Sequence, residues 1–258
     1  MRMMKKVLGT VTVLALSVSL LAGCGSTAGS AAASSSAAGS TAVSAVSEAA
    51  SSEAADENEA AAAQLMKDLT GSYQELWPVI LADEHTQTWL DDSTALVGED
   101  NAEGAYEKLS SMVTGDVYGE DAVKAYANGG GAYFCGFTQG LATLTFDGES
   151  SAISGTDKDG STLFSHSYHY IGMEPVRGLY EFESDDADSG EFTYFFLAPD
   201  TSAETYHIEF RYGSDADALG QYDAGDYAYW LASGISTDCD QTMIDNCIQL
   251  FCTENLAG

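Results

Sequence analysis

Glu191-Phe-Thr-Tyr-Phe-Phe-Leu-Ala-Pro199 and Glu204-Thr-Tyr-His-Ile-Glu-Phe-Arg-Tyr212 decide how this chain is read. Each is a short apolar run rich in aromatic residues, and a polar turn separates them, so they read as two strands joined by a loop. Successive side chains of a strand point to opposite faces. In the second strand Thr205, His207 and Glu209 therefore share one face, and Tyr206, Ile208 and Phe210 the other. An apolar face backed by a polar, metal-capable one fits a barrel strand that lines an interior or a mouth.

Period-two patterns continue upstream. Tyr133 to Phe137, Leu141 to Phe146, Ser151 to Gly155, Leu163 to Ile171 and Arg177 to Ser184 each read as a strand, with tight-turn pairs at Asp147-Gly148 and Asp159-Gly160. About seven short strands with tight turns predict a closed or nearly closed antiparallel barrel, and closure removes the unpaired edges that make exposed sheets adhesive. Helical spacing flanks this block. Residues 57–67 are rich in Ala and Glu, and Ser72-Tyr-Gln-Glu75 matches a capping box ahead of Leu76, Trp77, Ile80 and Leu81, with Pro78 in the first turns. Thr86 to Leu96 reads as a helix with Trp89, Leu90 and Leu96 inward; Ala105 to Val113 and Asp121 to Ala127 are two more. Tyr222 to Leu231 is aromatic but irregular, and Asp240 to Thr253 closes the chain as a helix with Met243, Ile244, Cys247, Ile248 and Phe251 on one face. The fold class is mainly β with flanking helices, α+β.

The ends of the 258-residue chain differ from this middle. Arg2, Lys5 and Lys6 precede an apolar run, Val7 to Ala22, that ends in Leu21-Ala-Gly-Cys24. This is too short for a membrane span and resembles a bacterial lipoprotein signal peptide. The resemblance implies removal of residues 1–23 and a lipid on Cys24. Each buried CH2 of such a lipid contributes about 0.8 kcal/mol to membrane attachment. Residues 24–56 are almost all Ser, Ala, Gly and Thr and have no aromatic side chain to bury, so they read as a flexible tether. Residues 57–258 are left as one barrel domain. Expected localisation is extracytoplasmic, on the cell membrane.

The whole chain has 9 Lys/Arg against 40 Asp/Glu, a net charge of −31. Loss of residues 1–23 would leave Lys67, Lys108, Lys124, Lys158, Arg177 and Arg211 against the same 40 acids. Such a surface repels nucleic acid and anionic headgroups and gathers cations. Beyond Cys24, the cysteines are Cys135, Cys239, Cys247 and Cys252. Outside the cytoplasm they allow three disulfide pairings, with a free buried thiol as the alternative for Cys135. No Cys-x-x-Cys is present, which speaks against a thiolate zinc cluster.

From about Leu69 to Asn255 the chain resembles the ZinT/YodA family, a calycin-like zinc-binding domain. The similarity is carried by Tyr73-Gln-Glu-Leu-Trp-Pro-Val-Ile-Leu81, Val123-Lys-Ala-Tyr126, Gly136-Phe-Thr-Gln-Gly-Leu-Ala-Thr-Leu-Thr-Phe146, Ser167-Tyr-His-Tyr170, Arg177-Gly-Leu-Tyr-Glu-Phe182 and Glu204-Thr-Tyr-His-Ile-Glu-Phe210. It implies a calycin/lipocalin-like antiparallel barrel with N-terminal helices and a C-terminal helix. It also implies zinc capture, buffering or delivery to a metal ABC importer. The family's ligands are three histidines. Here the second of its His-x-His pair falls on His207, the first on Thr205, and the separate histidine has no counterpart in Tyr194-Phe-Phe-Leu-Ala-Pro199. The implied metal site is degenerate.

His207 and Glu209, at i and i+2 on one strand face, are the candidate metal ligands, with Asp200 and Glu204 at the entering loop. One imidazole with carboxylates makes a harder site than three imidazoles, displaced toward oxygen-seeking metals. His166 and His169 point to opposite faces and cannot share a site; His85 lies in a polar stretch and reads as solvated. Asp157-Lys-Asp-Gly-Ser161 starts like a calcium loop but lacks the later ligands and the terminal Glu, so it reads as a hairpin turn. No nucleophile elbow, P-loop, dinucleotide fingerprint or His-Glu-x-x-His is present, and catalysis is not expected. The alternative to metal binding is a metal-free barrel that takes a small organic ligand or a partner protein, with Tyr168, Tyr194 and Tyr206 toward the interior or mouth.

Overall fold

In the computed structural model, residues 57–199 and 207–257 are described. The signal peptide, Cys24, the tether, and Asp200, Glu204, Thr205 and Tyr206 lie outside the described residues. Residues 57–68 are helical and form α1. Eight strands follow in order and close into one antiparallel barrel, each pairing with its neighbours in sequence and the last with the first. They are β1 (Gly71–Glu75), β2 (Thr143–Asp147), β3 (Ala152–Thr156), β4 (Thr162–Met173), β5 (Tyr180–Ser184), β6 (Tyr194–Leu197), β7 (His207–Gly213) and β8 (Ala232–Ser236). Helices α2 (Leu76–Ile80), α3 (Thr86–Val97), α4 (Glu99–Val113) and α5 (Glu120–Ala127) fill the long β1–β2 connection. Helix α6 (Ala216–Leu219) sits between β7 and β8, and α7 (Gln241–Leu256) ends the described chain. No helix among the described residues is long and apolar enough to cross a membrane.

The expected barrel is present, with two strands that the sequence pattern assigned otherwise. The capping-box residues 72–75 lie in β1. Ser72 Oγ bonds Thr145 Oγ1 at 2.8 Å across to β2 instead of capping a helix, and cross-strand pairing outweighs the local signal. Helix α2 starts only after Glu75, which makes no side-chain cap. Pro78 is then its third residue, where the backbone N–H would have no intrahelical partner anyway, so no distortion is required. Strand β8 is Ala-Ser-Gly-Ile-Ser, too small and polar to stand out beside the aromatic run before it. Conversely, Tyr133 to Phe137 is not a strand. Phe134 forms only isolated bridges, to Thr114 and Trp230. The Asp147 and Asp157 carboxylates accept turn N–H groups from residues two to four positions on, the ordinary Asx-turn use of aspartate.

Two cores result. Alternation carried across the registers puts Phe182, Phe195 and Tyr212 in one row and Tyr180, Leu197 and Phe210 in the next, all toward the axis. The rings fill the barrel: Phe195 lies 5.4 Å from Tyr212 and 5.3 Å from Tyr168, centroid to centroid. Buried Ala62, Leu65, Met66 and Leu69 of α1 and its C-terminal end join this core. The helix approaches the β2–β3 turn so closely that a Cβ on Gly148 would lie 2.3 Å from the Met66 carbonyl oxygen. The second core lies outside the barrel wall, where Leu76, Trp77, Ile80, Trp89 and Leu109 pack with Ile235 of β8 and with Ile244, Cys247, Ile248 and Cys252 of α7. Within α3, Trp89 is fully buried as expected and donates to the Ile80 carbonyl at 2.7 Å, but Leu96 is exposed.

Candidate metal site on the outer face of the barrel

Strand β7 shows the predicted alternation with its sense settled. Ile208, Phe210 and Tyr212 belong to the barrel core. His207, Glu209 and Arg211 take the opposite face. The cross-strand partners are Ile235 for His207 and Ser233 for Glu209, and Ile235 belongs to the outer core. The polar face of β7 thus looks outward under the helices and the interior is aromatic; the expectation of a polar lining toward the interior is corrected. The cause is hydrophobic: the inward rows Phe182, Phe195, Tyr212 and Tyr180, Leu197, Phe210 fill the axis there, which leaves no room for a solvated imidazole.

His207 is buried and Glu209 half-buried. Two thiols lie within electrostatic reach of Glu209. Burial pushes Cys135 and Cys247 up to about 12, and the Glu209 carboxylate adds to both. All four cysteines of the domain are free thiols, so none of the three disulfide pairings forms here. Protonated thiols beside a carboxylate are poor metal ligands until they lose their protons. Among the described residues no group of three or more His, Cys, Asp and Glu is placed to hold a metal ion. His207 and Glu209 contribute two donors on one face, and a complete tetrahedral set needs four.

The other histidines are engaged elsewhere. His166 faces inward at a barrel end, its Nδ1 2.8 Å from Asp186. His169 faces outward, with Nδ1 2.8 Å from Asp185 and Nε2 3.9 Å from Glu183. These two do diverge, as the spacing requires. His85 corrects the sequence reading: it is buried, 3.3 Å from Gln241 Nε2, because α7 covers the stretch that looked solvated. Of the tyrosines considered for an organic ligand, Tyr168 is inside with its hydroxyl donating to the Phe192 carbonyl. Tyr194 faces out and donates to Glu183 at 3.2 Å.

One residue on this strand was not singled out by sequence. Arg211 has no exposed surface. Its guanidinium donates to the carbonyl oxygens of Leu219, Gln221 and Tyr227 and stacks 4.5 Å from the Tyr222 ring centroid. Burial lowers it to about 10. Arg177 stacks on the same ring at 4.4 Å, and the buried Glu174 carboxylate accepts from the Tyr222 hydroxyl and from the N–H groups of Val176 and Arg177. These contacts pin the irregular segment between β7 and β8, which has few ladder bonds of its own, to the barrel wall.

A closed eight-stranded antiparallel barrel with helices on its flank is the α+β barrel class that the strand pattern predicts. No protein-family model and no curated protein matches the chain. Among solved structures, the Zn(II)-bound ZinT-like domain of Streptococcus pneumoniae AdcA is similar over 71% of this chain and 89% of that domain, at 13% identity and a TM-score of 0.46. Zn(II)-bound AdcA from the same organism is similar over 72% of this chain, at 12% identity and a TM-score of 0.43; the match covers 35% of AdcA, about a third of its length.

Proposed function

We propose that this protein is an extracytoplasmic, lipid-anchored barrel that binds a divalent metal ion at the outer face of β7, for capture, buffering or delivery to an importer. The observation that carries the reading is the placement of His207 and Glu209 on one face at the start of that strand. Directly before it in sequence stand Asp200 and Glu204. Imidazole with carboxylate suits zinc, and added carboxylates admit manganese. The acidic surface raises the local concentration of any such cation. Anchoring rests on the lipobox-like Leu21-Ala-Gly-Cys24.

The test is a chelator-competition zinc titration on the full chain beside His207→Ala and Glu209→Gln. One zinc per chain at about micromolar Kd or tighter, lost in His207→Ala and weakened in Glu209→Gln, is the expected result. Diffuse, non-stoichiometric uptake that neither variant alters would overturn the reading. Anchoring has its own check: cells fed a labelled fatty acid should label the wild type and not Cys24→Ser.

A further inference from the structure

Outside the barrel, where β1 turns into α2, a cleft of about 340 Å³ opens between α2, the end of α4 and the 134–136 segment. Trp77, Leu81, Val113 and Phe134 give it apolar walls, and Glu75 and Cys135 are its ionisable side chains. The volume falls within the range of small-molecule sites, roughly 300 to 1,000 Å³. Burial holds the Cys135 thiol protonated, which leaves Glu75 as the one charge. Glu75 Oε1 accepts the Phe137 N–H at 2.6 Å. Among the described residues its second oxygen takes no hydrogen bond and no Lys or Arg forms an ion pair with the carboxylate, the Arg177 charge reaching the cleft only at Cys135. An anionic oxygen left without a cation beside two aromatic rings and aliphatic walls has a definite complement. That complement is an organic cation with an apolar body, its charge toward the carboxylate and the ring faces.

We infer that this cleft is a binding site for small organic cations of the substituted-ammonium class. The inference stands whether or not a metal binds at His207 and Glu209. It draws on the charge balance of the molecule as well: 40 Asp/Glu against 9 Lys/Arg favour the approach of a cation and oppose an anion.

The probe is benzyltrimethylammonium, with benzyl alcohol as its neutral counterpart and Mg²⁺ as a cation without an apolar body. Binding is followed by the indole N–H resonances of the full chain. Trp77 Nε1 meets no oxygen acceptor among the described residues and has the Cys135 thiol beside it, whereas Trp89 donates to the Ile80 carbonyl and Trp230 to that of Gly136, so the Trp77 signal is separable. Glu75→Gln removes the charge but keeps an oxygen for the Phe137 N–H, and Val113→Phe puts a larger side chain on the cleft wall. The expected result is a saturable shift of the Trp77 signal by benzyltrimethylammonium, at least about tenfold weaker in Glu75→Gln and absent in Val113→Phe, and not reproduced by Mg²⁺. Unmoved Trp89 and Trp230 signals show that each variant keeps its fold; if Val113→Phe does not, Glu75→Gln decides. No saturation by about 10 mM, equal binding in wild type and Glu75→Gln, or a preference for benzyl alcohol would overturn the inference.

Discussion

At the residue scale the outer face of β7 carries the molecule's hardest electrostatic problem. Arg211 is a fully buried cation that no carboxylate pairs with among the described residues; backbone carbonyls and the Tyr222 ring stabilise it. Arg211→Ala would leave several buried carbonyl oxygens unsatisfied, each worth about 1–3 kcal/mol, so a loss of roughly 3 kcal/mol in urea unfolding is expected. A loss below about 1 kcal/mol would mean that water replaces the guanidinium. The thiols give a pH prediction. Cys135 and Cys247 are raised from an ordinary 9.0 to about 12 by burial. The folded state therefore holds these protons more tightly than the unfolded chain. The resulting stability is whole below pH 9 and is lost as pH climbs toward 12, by at most ~1.4 kcal/mol per pH unit for each thiol. Denaturation curves at pH 8 and pH 10 should show that loss, and Cys135→Ala should reduce it; an equal loss between pH 8 and pH 10 in wild type and Cys135→Ala would contradict it. Alkylation at pH 8 should reach half-buried Cys239 well before Cys135, Cys247 or Cys252.

At the scale of elements, α1 and the β2–β3 turn form a tight junction. A Cβ on Gly148 would meet Met66 O at 2.3 Å and Lys67 Cα at 2.4 Å, both backbone atoms. Gly148→Ala should cost about 1–3 kcal/mol by forcing α1 away from the barrel end, read as a lower Tm; an unchanged Tm would show that the helix does not seat there. The elements legible in the sequence were those whose pattern was strong. The helices with apolar stripes and most of the aromatic strands stand close to where periodicity placed them; the exceptions are Tyr133 to Phe137, which is not a strand, and the helix expected from Ala105, which starts at Glu99. The 71–75 segment was misread because its local capping signal competes with a ladder to β2 formed by residues more than seventy positions away. The register gave His207 and Glu209 their shared face, but which face points inward depends on what fills the barrel, and no single strand contains that information. The roles of Arg211 and Glu75 were not legible either: Arg211 is held by carbonyls of the irregular segment after β7, and Glu75 by the Phe137 N–H sixty-two positions on.

At the scale of the whole molecule, net charge sets both solubility and sensitivity to salt. A chain at −31 repels itself in its compact state. Raising NaCl from about 10 mM to 150 mM shortens the screening length from ~30 Å to ~8 Å, and Tm should rise with it. A Tm indifferent to NaCl would mean that bound cations already neutralise the surface. The closed barrel of the described residues leaves no strand edge free, which removes one route to edge-to-edge pairing between molecules. Whether it also holds a metal is answered most directly by an anomalous-difference map at the zinc edge from crystals grown with one equivalent of zinc. A single peak is expected on the outer face of β7, about 2.0–2.2 Å from a His207 ring nitrogen and a Glu209 oxygen. A peak elsewhere on the acidic surface, or none, would contradict it.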